Sequence, residues 1–253
     1  MPLSHTINPR HFQSDQLKQL SQRPIPRHIA VIPDGNRRWA RERGLPSLEG
    51  HRAGMNAVMR LVRAAQELGI KQLTLYGFST ENWTRPQEEI IPMLLLIAGY
   101  LIQERADMVA NGIRLRAIGD LVSLPQFLQD TLQDSIQATR QGIDFDLVLA
   151  LNYGARNELC RAFKRILTDM EQGVRLKQDL SEAMVADYLD TAGLSDPDLL
   201  IRTSGEFRLS NFMLWQSAYA EFLVLDLLWP DFTPDTLLHA VKAYQVRERR
   251  AGA

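Results

Sequence analysis

The 253-residue sequence predicts an α/β fold: one domain, built on a six-stranded, mainly parallel sheet flanked by helices. Two observations carry this. Short apolar runs alternate with helical patterns along the chain, the signature of strands joined by helical crossovers. No internal repeat, low-complexity tract or linker interrupts that alternation. The composition, 45% apolar and 23% charged, is ordinary for a globular domain.

Residues 1–27 hold Pro2, Pro9, Pro24 and Pro26 among polar neighbours and read as a mobile tail with a short helix near Ser14 to Leu20. His28 to Pro33 (HIAVIP) reads as a buried strand. From Gly54 to Leu68, Val58, Leu61, Val62, Ala65 and Leu68 recur at helical spacing, and Gly69 is a stop signal. Gln72 to Phe78 is a second strand, and Pro86 to Ala110 a long helix closed by Asn111-Gly112. Ile113 to Ile118 and Phe145 to Leu151 are further strands, with a helix over Pro125 to Arg140 between them. Ala155 to Met170 is helical, Leu199 to Arg202 and Phe222 to Leu227 are strands, and Pro234 to Arg247 closes the chain as a helix.

Composition excludes several classes. Lys plus Arg is 29 and Asp plus Glu is 30, for a net charge of −1, a poor match to a nucleic-acid binder. A lone Cys160 forbids an intrachain disulfide and fits a reducing, cytoplasmic compartment. One cysteine and five histidines do not make a zinc-finger site. The longest apolar stretch, Ile90 to Ile102, falls short of the roughly 20 residues of a membrane span and contains Pro92 and Gly99. The tail lacks the apolar stretch of a signal peptide. The expectation is a soluble protein with at most peripheral membrane contact.

In open α/β sheets ligands sit beyond the carboxyl ends of the strands. The first strand is followed by Asp34-Gly35-Asn36-Arg37-Arg38-Trp39. Gly35 and Asn36 suit a tight turn that presents backbone N–H groups, and Arg38 offers a fork to phosphate. Asp34 repels an anion unless a divalent cation bridges the two. After the second strand come Ser79, Thr80, Glu81, Asn82, Trp83, Thr84 and Arg85, which also read as a helix-capping turn. Asn152-Tyr153-Gly154 follows the fourth strand, and the fifth ends in Arg202, with Arg208 and Ser210 close behind as a second phosphate clamp. Ile90, Ile91, Met93, Leu94, Leu95, Leu96 and Ile97 leave no polar face on the long helix, which is therefore a core helix or the wall of a site for a greasy ligand. A phosphate clamp opening onto an apolar tunnel suits a lipid diphosphate.

The runs HIAVIPDGNRRWA, FSTENWTRP, NYGAR and IRTSGEFRLSNFMLWQSAYAEF resemble those of the cis-prenyltransferases, typified by undecaprenyl diphosphate synthase, in family order from His28 to the C-terminus. The resemblance implies a homodimer using Mg²⁺ to condense isopentenyl diphosphate onto an allylic diphosphate, with farnesyl diphosphate the expected starter and a medium-chain polyprenyl diphosphate the product. It makes 28–253 the catalytic domain. It implies that Asp34 is catalytic and a magnesium ligand, that Asn82 assists proton removal, and that Glu221 is a second magnesium ligand. By the same match Gly35, Asn36, Arg37, Arg38, Trp39 and His51 hold the allylic diphosphate. Ser79, Thr80, Glu81, Trp83 and Arg85 belong to the mobile loop beside it, and Arg202, Arg208, Leu209 and Ser210 to the isopentenyl diphosphate site. Arg250-Ala251-Gly252 resembles an element that reaches the partner subunit's site.

There are departures from the bacterial pattern. Pro33 stands for Met, Arg37 for Gly, Ser47 for a diphosphate-binding arginine, Ala155 for the second Gly of NYGG, and Ser204 for the first Gly of TGGE. Ser47 weakens the allylic clamp unless Arg37 substitutes. Phe145, bulky and on the strand the family uses as tunnel floor, is expected to limit elongation. A strand starting at Glu221 puts this residue at the wrong end of the sheet for Asp34, unless that boundary is misplaced or a loop or a partner subunit intervenes. The alternatives are a short-chain cis-prenyl diphosphate synthase and a non-catalytic supporting subunit. No G-x-x-x-x-G-K, G-x-G-x-x-G or Asp-Asp-x-x-Asp motif is present.

Overall fold

The computed structural model describes residues 11–247. Strands β1 (His28–Ile32), β2 (Gln72–Ser79), β3 (Ile113–Ile118), β4 (Phe145–Tyr153), β5 (Leu199–Arg202) and β6 (Glu221–Val224) form one sheet in the order β3-β4-β2-β1-β5-β6. Every pairing is parallel. The helices are α1 (Ser14–Leu20), α2 (Asn36–Glu42), α3 (Ser47–Glu67), α4 (Gln87–Ala110), α5 (Gln126–Thr139), α6 (Ala155–Glu171), α7 (Glu182–Tyr188) and α8 (Pro234–Gln245).

The sheet is covered on both faces, which is why its central strands are apolar throughout rather than alternating. Successive side chains still point to opposite sides. Ile29, Val31, Leu73, Leu75, Leu147, Leu151 and Ile201 join the larger core, with α3, α4, α5 and α8. Ala30, Ile32, Val148, Ala150 and Leu200 join the second, with Tyr153, Ala155 and Phe212.

Several expected boundaries shift. The helix expected from Gly54 starts at Ser47, because Pro46 leads directly into a first turn that its polar residues conceal. The short helix α7 was not expected, and α2 was expected only as a helix start behind Gly35 and Asn36, without bounds; at seven residues each they are too brief for a periodic signal. The last strand begins at Glu221 and stops at Val224, short of the expected Leu227. The expected tail is tied down where it is described. Phe12 and Leu20 are buried, and Gln245 donates to the Leu20 and Arg23 carbonyls. The α4 helix is not buried all round: Met93, Leu94 and Ile97 face inward, while Ile91, Leu95 and Ile102 are exposed. Among the described residues, no helix is long and apolar enough to cross a membrane.

The crossovers up to β5 are helical, but the link from β5 to β6, residues 203–220, has no helix. Of the five described non-glycine residues at positive φ, four lie in it: Ser204, Ser210, Asn211 and Met213. Such backbone persists only where its surroundings hold it. Glu158 does part of this at the far end: it accepts from Tyr153 Oη at 2.6 Å and Gln216 Nε2 at 3.1 Å.

At the amino end of β1, His28 is wholly buried; its Nδ1 donates to the Ser195 carbonyl at 2.7 Å and its Nε2 accepts from Thr74 Oγ1 at 2.8 Å. Burial lowers its pKa to about 4, so the folded protein holds it neutral. The unfolded chain takes up a proton near pH 6.5, so the contribution of His28 is complete above that value and is lost as pH falls toward 4. The urea midpoint is expected to drop between pH 7 and pH 4.5, and His28→Gln, less stable at pH 7, to lose less over the same interval.

Candidate active site

The strand order reverses direction at β1 and β5, and the crevice beyond their carboxyl ends is where a parallel sheet places a ligand. Asp34 leaves β1 and Arg202 ends β5. Arg202 Nη2 donates to Asp34 Oδ2 at 2.7 Å. Arg202 is almost fully buried (its side chain is 4% exposed) and also donates through Nη1 to Ser210 Oγ at 2.7 Å and to the Arg208 carbonyl. Thr203 Oγ1 braces the turn: it accepts from Asp34 N–H at 2.9 Å and donates to the Asp34 carbonyl at 2.7 Å. A buried guanidinium is tolerated when paired and hydrogen-bonded. Its Nε still has no partner among the described residues.

Gly35 adopts φ +107°, and a Cβ there would sit 2.9 Å from Leu228 Cδ2, so no larger residue makes this turn without strain. A Cβ at Gly50 would lie 2.0 Å from the Asn36 carbonyl oxygen, so only glycine lets α3 pack against the start of α2.

A cavity of about 750 Å³ opens here, bordered by Asp34, Arg37, Arg38, Arg41, His51 and Arg85 among others. One carboxylate therefore stands among four guanidiniums. Arg37 reaches Glu89 at 3.7 Å and Arg38 reaches Glu206 at 3.3 Å. Burial, then the charge of Arg37, lowers the pKa of Arg85. Burial, then the charges of Arg85 and Arg37, depress His51 to about 4, so His51 is a neutral hydrogen-bonding group at pH 7. Such a mouth carries excess positive potential and suits a polyanion.

Asp34, Asn36, His51 and Arg85 also border a second cavity of about 330 Å³, where Arg202, Ser210, Ser79 and Asn82 join them. Its walls are Met55, Val58, Leu75, Met93, Leu96 and Ile97 among other residues: an apolar channel between α3, α4 and the sheet. Beyond it lies a slot of about 40 Å³ sharing Met55, Val58, Ile97 and Leu149 and reaching Met59, Leu101, Met108 and Leu147. That is about an eighth of the channel's 330 Å³. Phe145, expected to limit elongation, is not among the slot's lining residues. It points to the same face as Leu147 but two residues nearer the start of β4, beneath the slot, and is buried.

Other expected site residues take supporting positions. Trp39 Nε1 donates to Asp231 Oδ1 at 2.8 Å, and Trp39 does not border the mouth. Trp83 Nε1 donates to Asn152 Oδ1 at 2.8 Å, with its ring edge-on to Phe78. Asn82 Oδ1 accepts from Ser79 N–H at 3.1 Å. Glu81 accepts from Asn211 Nδ2 at 2.8 Å, linking the β2 turn to the 203–220 segment. Thr80 packs against Gly154. Leu209 packs on the second core, and Arg208 is exposed and ion-paired with Glu206.

Glu221 is not brought to Asp34 within one chain. It stands level with Leu199 and Ile29 at the amino edge of the sheet, whereas Asp34 lies past Ile32. At least three residues of rise, about 10 Å at ~3.3 Å each, separate them along the strands. Glu221 Oε2 instead accepts from Arg247 Nη1 at 2.6 Å. Among the described residues no three His, Cys, Asp or Glu side chains form a metal cage. Mg²⁺ does not need one: it is commonly held by one or two carboxylates together with substrate phosphates. Asp34, its side chain 36% exposed on a cation-rich mouth, fits that role. Arg250 and Gly252 lie outside the described residues.

Sequence reasoning missed Arg41, although it stands four residues after Arg37 and so on the same helical face. It also missed the methionines of α3, whose spacing reads simply as core.

A family model described as putative undecaprenyl diphosphate synthase matches residues 32–252. The chain is 45% identical over 235 residues to an isoprenyl transferase of Geobacillus kaustophilus, covering 93% of this chain and 91% of that protein. It is 48% identical over 228 residues to one of Geobacter sulfurreducens, covering 90% and 93%. Its fold is similar to that of lavandulyl diphosphate synthase from Lavandula x intermedia, solved with dimethylallyl diphosphate (TM-score 0.88, 35% identity, 90% of this chain and 99% of that one). It is also similar to a probable undecaprenyl diphosphate synthase from Campylobacter jejuni (TM-score 0.75, 32% identity, 91% and 100%).

Ser204 holds φ +72° where a glycine is strain-free, and its buried Oγ has no partner among the described residues. Ser204→Gly is expected to stabilise the fold by about 1 kcal/mol, less than the summed strain and desolvation because glycine loosens the unfolded chain. Equilibrium denaturation measures this.

Proposed function

The chain belongs to the isoprenyl transferase family and is a cis-prenyltransferase, and from that premise we propose that it condenses isopentenyl diphosphate onto an allylic diphosphate in a Mg²⁺-dependent reaction. The observation that carries this is the 2.7 Å Asp34–Arg202 pair, which joins a cation-lined mouth to an apolar channel.

In this reading the allylic diphosphate lies in the mouth against Arg37, Arg38 and Arg85, with its hydrocarbon in the channel. Isopentenyl diphosphate is held by Arg202, Ser210 and Arg208. The allylic carbon–oxygen bond breaks as a carbon–carbon bond forms to the acceptor alkene, and a proton leaves. Negative charge develops on the departing diphosphate, and preorganised guanidiniums stabilise it where it appears. Asp34 would hold magnesium together with diphosphate oxygens; when bound, the ion supplies further charge neutralisation at that leaving group. Positioning the two reacting carbons in a dry channel supplies much of the remaining rate. Asn82 is a weak base with its oxygen engaged by Ser79, so the proton passes in part to the diphosphate itself.

The working unit in this reading is a cytoplasmic homodimer. Its α6 helix leaves Phe163 and Leu167 exposed one turn apart, apolar area suited to a second copy. Glu221 serves a magnesium ion near Asp34 only across such an interface.

With farnesyl diphosphate, labelled isopentenyl diphosphate and Mg²⁺, the purified chain is expected to give a ladder of polyprenyl diphosphates. Asp34→Ala should cut turnover on the order of a thousandfold, the scale of losing an electrostatic stabiliser, and also destabilise the fold by stranding Arg202. Asp34→Asn should retain the fold and still lose the rate. An Asp34→Asn enzyme with near-normal incorporation rejects the role of Asp34, and a wild-type chain inert with every starter rejects the reaction.

The constricted slot favours a second reading, a short-chain product. Growth past it requires Met55, Met59 and Met108 to move, which unbranched thioether side chains do readily. Met108→Ala is expected to lengthen the ladder on thin-layer chromatography; unchanged lengths place the limit elsewhere.

A further inference from the structure

We propose that Arg41 is a further binding residue for the allylic diphosphate, gripping its outer phosphate together with the Ser47 hydroxyl; this rests on the reading of the mouth given above. The cavity has an inner and an outer part. Asp34, Asn36, His51 and Arg85 border both the mouth and the apolar channel, whereas Arg37, Arg38, Arg41 and Ser47 are among the residues that border the mouth alone. An allylic diphosphate with its hydrocarbon in the channel therefore places its first phosphate beside the inner group and its second toward the outer one.

Arg41 is suited to that second phosphate. It projects from α2 one turn after Arg37 and three residues after Arg38, so three guanidiniums share one helical face. Like charges at this spacing repel, and a seven-residue helix does not gain from that arrangement unless an anion bridges the charges. Arg37 and Arg38 already have carboxylate partners in Glu89 and Glu206. Arg41 has neither an ion pair nor a side-chain hydrogen bond among the described residues, yet it lines the cavity. A guanidinium offers two parallel N–H donors to phosphate, which an ammonium does not. Ser47, at the first position of α3, lines the same mouth and adds a short neutral donor there.

The test is Arg41→Gln, an exposed, helix-compatible change, assayed at fixed ionic strength because exposed charges are screened by salt. The KM for the allylic diphosphate is expected to rise about tenfold, with kcat and the KM for isopentenyl diphosphate within twofold of wild type. Adding Ser47→Arg should restore the allylic KM, because it returns a guanidinium to the same outer space. An unchanged allylic KM, or an equal rise for both substrates, overturns the assignment, the second outcome marking a general field effect. Calorimetric titration with inorganic pyrophosphate separates this inference from the reaction: about tenfold weaker binding to Arg41→Gln supports the assignment even if no starter is turned over. Equal pyrophosphate affinity for the two proteins overturns it, whatever the turnover.

Discussion

A single ion pair organises this molecule. Arg202 is buried at the end of β5, and a buried guanidinium must be matched in charge and hydrogen bonding. Asp34 matches the charge from the end of β1; Ser210 and the Arg208 carbonyl take the remaining hydrogen bonds. The pair therefore holds together the strand end that carries the carboxylate and the irregular crossover that carries Arg208 and Ser210. Because the two strands are neighbours in a parallel sheet, the charges meet at its carboxyl edge, where backbone groups are free to meet a ligand.

The surroundings show a division of labour. The inner end of the mouth is rigid: Gly35 is forced into its turn, Gly50 lets α3 close on α2, and Thr203 braces Asp34 from both sides. The channel beyond is soft, lined at its narrow end by methionines. Charge needs fixed geometry because electrostatic stabilisation depends on dipoles that need not reorganise, whereas a hydrocarbon needs only dry volume. The strained backbone of the 203–220 segment belongs to the rigid part. Its left-handed residues are secured by Tyr153, Glu158 and Gln216 at one end and by Arg202 at the other.

Much of the fold was legible because parallel strands buried on both faces and long amphipathic helices write strong patterns. The six strands and the helices from Pro86, Pro125, Ala155 and Pro234 fall within a few residues of their expected places. The shortfalls have a common cause: α2 and α7 are two turns long, and the start of α3 is polar. At the site, Asp34, Asn36, Arg37, Arg38, His51, Asn82, Arg85, Arg202 and Ser210 do converge on the two cavities. Trp39 and Trp83 do not border them; an indole beside a strand end serves packing and hydrogen bonding as readily as ligand contact.

The sequence by itself determined the class of fold, the strand ends that gather polar groups and the family, because each is written in local periodicity and contiguous motifs. Only the tertiary structure decided which groups meet across the sheet. The register of β1, β5 and β6 unites Asp34 with Arg202 and separates Asp34 from Glu221, and no local pattern encodes register between strands far apart in the chain. Depth was likewise invisible: Phe145 and Leu147 share a face and a chemistry, and only the packing of α3 and α4 against β4 sets which one the channel reaches.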